Sequence, residues 1–507
     1  MSEQSWDAIF VGAGITSLAC AALLVKQRPE LKLLVVDKHI VAGGYATIFK
    51  RPKEEAMFDC SLHKLSGMGE GGNLHRIFES LGLYEELELK YPDDYFCAYK
   101  DKNGKPFENC EHGMAAQLRE MFPREEASIN TFFEQVATYG RNGYYQFQMM
   151  DGSFEPDIEQ LRFAHKNLKN ITVEQALNDM FEDPYLIEIL AAPGIYVGGY
   201  PEDLGYLYYL HVVFATLNKG NAYVVGSSQN LSNTLAARIE QAGGKVLLST
   251  PVQQVLVDED CKAVGIRTKK QNYYAKQVFI NTSPHYALDN LFDESIDLTD
   301  PKNKIASLKP ARSTTTVYLV TDVPPEQLGL VHTESMIFSP DPKQASVLRK
   351  AAESSGYDGE KSELAFWENS PMEVTNYHLL DANGGRVVCL NVLDSIEHWP
   401  ARRSQPYREK KKRAADVLLS RLYEQVPDLQ GHVTYQEVSS PHTYVRFTNN
   451  TAGSGYGAMV STDLSGHVFH HRFPVKGIDF VSAWVAGPSY EAAFGYAEMK
   501  AKKWLAA

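Results

Sequence analysis

The sequence has no apolar run long enough to cross a bilayer, and no charged-then-apolar leader precedes its first strand-like segment. A cytoplasmic protein is the expectation. Its six cysteines, Cys20, Cys60, Cys97, Cys110, Cys261 and Cys389, are scattered, with no C-x-x-C pair. They read as reduced thiols, with neither a disulfide frame nor a zinc site, and no metal is expected. An H-E-x-x-H pair, a P-loop lysine motif and a nucleophile elbow are all missing. Positive charge is short as well. Fifty Lys and Arg stand against 63 Asp and Glu, a net charge of -13, and no basic stripe carries interleaved aromatics. Nucleic acid is thereby excluded as the main partner. The densest basic segment holds Arg402, Arg403, Arg408, Lys410, Lys411, Lys412 and Arg413. It reads first as a solvated helix start, with peripheral contact to anionic lipid headgroups as the alternative.

What is present is a globular composition, 44% hydrophobic and 22% charged, in a chain of 507 residues. That length allows about three or four average domains, and large α/β enzymes often use fewer. The most informative stretch runs from Ala8 to Gly44. Ala8-Ile9-Phe10-Val11 reads as a buried strand that breaks at Gly12-Ala13-Gly14. Ile15, Leu18, Ala22 and Val25 then fall at helical spacing, and Leu33 to Val36 form a second apolar run ending at Asp37. Each part has a duty in dinucleotide binding. Gly12 permits the tight turn, Gly14 admits a pyrophosphate, the helix start supplies partial positive charge, and Asp37 accepts from a ribose diol. Ser17 replaces the third glycine of the usual fingerprint and is small enough for the helix to pack near the strand.

After Asp37 come Gly43-Gly44, Thr47-Ile48-Phe49 and Phe58-Asp59. This succession resembles a flavoprotein group containing bacterial phytoene desaturases, carotenoid isomerases and retinol saturases, related more distantly to the amine oxidases. The resemblance implies FAD as the bound dinucleotide. It covers both termini and the middle of the nucleotide-binding part, in the right order. Within it, Val252 matches an apolar residue that touches the adenine, and Pro284 follows Asn281 as in the group's Asn-x-x-Pro ending. Near the C-terminus, Ile478 to Val481 reads as a strand, Trp484 to Gly487 as a turn, and Tyr490 to Lys503 as a helix whose start, around Ala492, faces the flavin. Where some relatives have an arginine after Gly-Gly this chain has Tyr45, so pyrophosphate charge falls to backbone dipoles or to a cation such as Lys38 or Arg51.

From Gly72 to about Gly220 the pattern is helical and aromatic, with Tyr144, Tyr145, Phe147, Tyr196, Tyr200, Tyr206, Tyr208, Tyr209 and Phe214. Any single one reads as core, and the set as an apolar tunnel. Ser313 to Val320 and Arg386 to Val392 read as strands, Glu409 to Gln425 as a helix, and 356–361 and 381–385 as loops. The predicted architecture is α/β: a discontinuous Rossmann-type FAD-binding domain (1–72, 221–300 and 445–507) interleaved with a mixed sheet-and-helix substrate domain (73–220 and 301–444).

Redox chemistry at a carbon–carbon bond needs one acid–base group with a pKa near neutrality, which points to histidine. His63 is the first catalytic candidate, because the resemblance places its loop beside the flavin, and His211 in the apolar insert is the second. Lys64 is a candidate for a carboxylated substrate or the pyrophosphate, and Asp59 for a structural turn cap. The leading reading is an FAD-dependent oxidoreductase that desaturates, saturates or isomerises an apolar polyene or isoprenoid. An amine or amino-acid oxidase and a non-catalytic lipid escort of the same fold are the alternatives.

Overall fold

The computed structural model describes residues 5–356, 360–462 and 473–506. The region 356–361 read as a loop lies partly outside these, and a helix, Glu360–Asn369, starts where description resumes. Two sheets organise the chain. The first is parallel and five-stranded, in the order Lys245–Leu247, Leu33–Val36, Ala8–Val11, Val278–Ile280, Ile478–Phe480. Its central strands are apolar at every position because both faces are covered, the usual state of a parallel sheet. Phe10 and Phe279, in register on neighbouring strands, stack with centroids 4.6 Å apart. The helices Ile15–Gln27 and Tyr490–Leu505 pack against each other over this sheet.

The second sheet has seven strands, in the order Val433–Ser439, Ser313–Thr321, Val387–Asp394, Met372–Asn376, Glu334–Ile337, Asp94–Tyr99, Lys105–Glu108. All neighbours are antiparallel except Glu334–Ile337 with Asp94–Tyr99. The segment read as helix-rich and aromatic therefore also contributes two strands to this sheet. The run Asp-Tyr-Phe-Cys-Ala-Tyr is short and apolar, and it is fixed as a strand between its hairpin partner Lys105–Glu108 and Glu334–Ile337, more than two hundred residues away. Alternation along Ser313–Thr321 joins the molecule's two hydrophobic cores. Tyr318 and Val320 belong to the core around the parallel sheet, and Val317 and Leu319 to the core under the helices of 111–217. Val387 and Cys389 alternate with Val388 and Leu390 in the same way.

Most of the aromatic set is core: Tyr200, Tyr206, Tyr209 and Phe214 are buried in the second core. The basic segment is not simply a solvated helix start. Lys410 is buried and lies 3.2 Å from Glu363, and Arg413 pairs with the same carboxylate at 2.6 Å. Trp484 to Gly487, expected as a turn, is one helical turn over Ala483–Ala486, which Gly487 ends at φ 93°.

Candidate functional site

A cavity of about 780 Å³ lies where the parallel strands end, between that sheet and the seven-stranded one. Its volume falls in the upper part of the range for small-molecule sites. Val11-Gly12, Val36-Asp37 and Asn281, which close three adjacent parallel strands, all line it. This is the crevice at the carboxyl ends of strands where open α/β sheets bind ligands. Gly12 has φ 105°, and a Cβ there would stand 2.6 Å from the Asn281 carbonyl oxygen. A Cβ on Gly14 would stand 2.1 Å from Asn281 Oδ1. Gly14 is the N-cap of the first helix, which carries no acid in its first turn, so its positive end faces the cavity uncompensated.

Asp37 accepts from the Ala13 N–H at 2.6 Å and from the His39 N–H at 2.7 Å. A carboxylate has about four acceptor positions, so two remain for a ligand diol. Ser482 Oγ is buried without a partner and also lines the cavity. Open glycine turn, bare helix start and a carboxylate with spare acceptors fit an adenine dinucleotide.

Of the residues read from the sequence as cofactor contacts, Gly12, Gly14, Ile15, Asp37, Lys38, Gly43, Gly44, Tyr45, Val252 and Trp484 line this cavity. Ser17 is fully buried beneath it. Gly487 does not line it, and Ala492 faces a smaller neighbouring cavity. The nearby cations are engaged elsewhere. Lys38 Nζ donates to Asn449 Oδ1 at 2.5 Å, and Arg51 pairs with Glu437 at 2.6 Å. Arg402, Arg403 and Lys411 of the basic segment also face the cavity, which sequence inspection had not assigned them.

The opposite wall carries a buried charge cluster. His63 and Lys64 sit in a loop fixed by Asp59, whose carboxylate accepts from the N–H groups of Ser61, Leu62 and Ser228 at 3.1, 2.9 and 2.8 Å. The Tyr377 hydroxyl donates to the Leu62 carbonyl at 2.8 Å. Thus held, His63 Nδ1 lies 2.9 Å from Glu334 and 3.1 Å from Glu373, and Lys64 Nζ lies 2.8 Å from Glu334. The Tyr196 hydroxyl donates to the other Glu334 oxygen. His63, Lys64, Glu373 and Tyr196 line the cavity, with Glu334 behind them.

Burial acts to lower the His63 pKa, but Glu373 and Glu334 outweigh it and raise it above its ordinary value. Burial resists ionisation of Glu334, yet Lys64 and His63 hold it well below the usual carboxylate range. Glu373 moves the other way, because burial and the Glu334 charge raise it. The cluster thus holds one firmly ionised acid and an imidazole–carboxyl pair between which a proton can sit. His63, Glu334 and Glu373 offer ligand atoms within 4.8 Å of one another, a spacing that suits a metal ion, although Lys64 already presents a cation to Glu334.

His211 is not in this cluster. It lines the smaller cavity of about 50 Å³, against the rings of Tyr144 and Tyr208, and burial pushes its pKa down to about 4. Sequence reasoning missed Glu334, Glu373 and Tyr196, because nothing local marks two strand glutamates as neighbours of a loop histidine.

Fold and site define an α/β protein built around a dinucleotide crevice. The profile of the family "Flavin containing amine oxidoreductase" matches residues 17–488, and the chain belongs to that family. It is an FAD-dependent oxidoreductase. The all-trans-retinol 13,14-reductase of Rattus norvegicus is 24% identical over 480 residues, covering 90% of this chain and 78% of the relative. Prolycopene isomerase 1 of an Oncidium hybrid cultivar is 22% identical over 475 residues, covering 90% and 76%. Among solved structures, cyclohexylamine oxidase from Brevibacterium oxydans superposes with a TM-score of 0.63 at 17% identity, covering 99% of each chain. Putrescine oxidase bound to putrescine gives 0.64 at 13% identity, covering 99% of this chain and 100% of the other. At these identities the solved structures bear on the fold alone. Among the described residues no helix is long and apolar enough to cross a membrane.

Proposed function

We propose that the protein acts on a carbon–carbon bond of an apolar polyene or isoprenoid substrate, as a desaturase, saturase or isomerase. The observation that carries this reading is the match over 90% of the chain to a retinol reductase and a prolycopene isomerase, whose names both specify polyenes. In this reading 1–72, 221–300 and 445–507 form the FAD-binding unit, and 73–220 with 301–444 the substrate unit. Gly12, Gly14, Gly43 and Gly44 give backbone access to the diphosphate, Asp37 holds the ribose and Val252 touches the adenine. Bound FAD supplies hydride transfer at its N5.

The chain's own residues manage position, water and the proton. Tyr318, Phe49 and Val438 give the cavity apolar wall against which a hydrocarbon chain can lie. His63 is the acid–base residue: its ring holds or releases a proton toward the carbon next to the hydride site, and Glu373 takes or returns that proton through Nδ1. Glu334, kept ionised by Lys64, fixes the ring and favours the imidazolium. A cytoplasmic setting suits the six free cysteines.

One observation favours amine or amino-acid oxidation as a second reading. Glu373, Tyr196, Tyr377 and Tyr456 face the same cavity, an acidic and aromatic surround that an amine would use. Incubation of the holoenzyme with polyenes and, separately, with amines distinguishes the two. Altered polyene by mass spectrometry without peroxide from amines supports the first reading, and peroxide with untouched polyene overturns it.

A further inference from the structure

The smaller cavity beside the main one, about 50 Å³, holds roughly one or two waters or one hydroxymethyl group. Ser66, Tyr196, Thr216 and Ser489 line both spaces, so the partition between them is one residue thick. Three of these four are small hydroxyl residues. Inside, Phe147 and Val212 give apolar wall, and Glu491, His211 and Tyr144 give polar groups.

Glu491 is the unusual member. It is only 6% exposed, and its Oε2 accepts from Ser66 Oγ at 2.8 Å. Its Oε1 is buried and makes no hydrogen bond of regular geometry, and besides Ser66 the Tyr144 hydroxyl interacts with the carboxyl. Gly67, at φ 71°, leaves space for that oxygen, since a Cβ there would stand 2.1 Å from it. A buried carboxyl oxygen left unmatched is costly, and a ligand group that hydrogen-bonds to it would offset that cost. Burial raises Glu491 to about 7 and lowers His211 to about 4, so between those values the chamber is mostly uncharged. Such a lining suits an uncharged hydroxyl better than an ammonium or a carboxylate.

We propose that this chamber binds a terminal hydroxyl of the apolar substrate, with Glu491 as its hydrogen-bond partner and the rest of the chain in the main cavity. The assignment rests on the reading of an apolar chain as substrate. Glu491 is then a specificity residue: it selects substrates with an alcohol end over hydrocarbons of the same length.

Titration of the holoenzyme with two conjugated polyenes that differ only in a terminal CH2OH or CH3, read by flavin fluorescence, tests the assignment. The alcohol is expected to bind about tenfold more tightly. Glu491→Leu should abolish that advantage while leaving the hydrocarbon's affinity within about twofold, and Glu491→Gln, which preserves shape and hydrogen bonding, should keep most of it. Equal affinity of the two ligands for the unaltered protein would mean that the chamber holds only water. Equal weakening of both ligands by Glu491→Leu, with Glu491→Gln unchanged, would make Glu491 a structural residue. Either result overturns the assignment and leaves the apolar-substrate reading standing. Failure of both polyenes to bind removes both.

Discussion

The imidazole of His63 lies 3.1 Å from the Glu373 carboxylate, and both side chains face the main cavity across from the glycine turn. Two residues 310 positions apart in the chain thereby place an imidazole and a carboxyl side by side on that wall. If that pair moves the proton in turnover, His63→Ala should lower kcat by about 10²- to 10⁴-fold while flavin content stays unchanged. Steady-state kinetics and the flavin absorbance of the purified variant check both halves.

The cluster around His63 sets a pH dependence of stability. The folded state raises the His63 pKa above its ordinary 6.5, so the stability it contributes is complete below that value and is lost as pH rises through the folded value. Glu334 is depressed below its ordinary 4.5, so its contribution is present above that value and lost as pH falls through the folded one. Melting temperature should therefore decline on both sides. In His63→Gln the alkaline decline should shrink, and a thermal melt series from pH 4 to 9 measures it.

Glu491 adds a loss of the same sign as that of His63. Its pKa rises from 4.5 to about 7 in the folded protein, so folding loses stability as pH climbs through that interval. At roughly 1.4 kcal/mol per unit, the loss is on the order of 3 kcal/mol. Glu491→Gln should melt several degrees higher than the unaltered protein at pH 8.5 and show no such gain at pH 4, as calorimetry can record.

At the glycine turn the prediction is steric. Gly14→Ala places a Cβ 2.1 Å from Asn281 Oδ1, and the Asn281 side chain is anchored to the Val481 carbonyl. The substitution should cost about 1–3 kcal/mol and lower FAD affinity. The double variant with Asn281→Ala should recover part of the loss in chemical denaturation.

How legible the molecule was in its sequence depended on how local each signal is. Ala8–Val11, the turn at Gly12 to Gly14 and Asp37 lie within one stretch, and their spacing alone places them together at the cavity. Ile48-Phe49 and Met57-Phe58 likewise pair as short strands over a charged turn. Asp94–Tyr99 was not legible, because its own periodicity is ambiguous and one of its two partners, Glu334–Ile337, is remote. Glu334 and Glu373 were invisible for the same reason: antiparallel neighbours bring them beside His63, and a strand glutamate carries no mark of its partner. The basic segment misled because charge alone did not reveal Glu363 inside the fold, waiting for Lys410 and Arg413.

In the proposed function one cavity holds FAD at its glycine turn and a polyene before His63. Anaerobic mixing of the holoenzyme with a conjugated polyene, followed by full-spectrum absorbance, tests this most directly. A shift of the polyene band that depends on bound flavin and vanishes in His63→Ala is the predicted result. Flavin bleached by a primary amine, with the polyene band unchanged throughout, would contradict it.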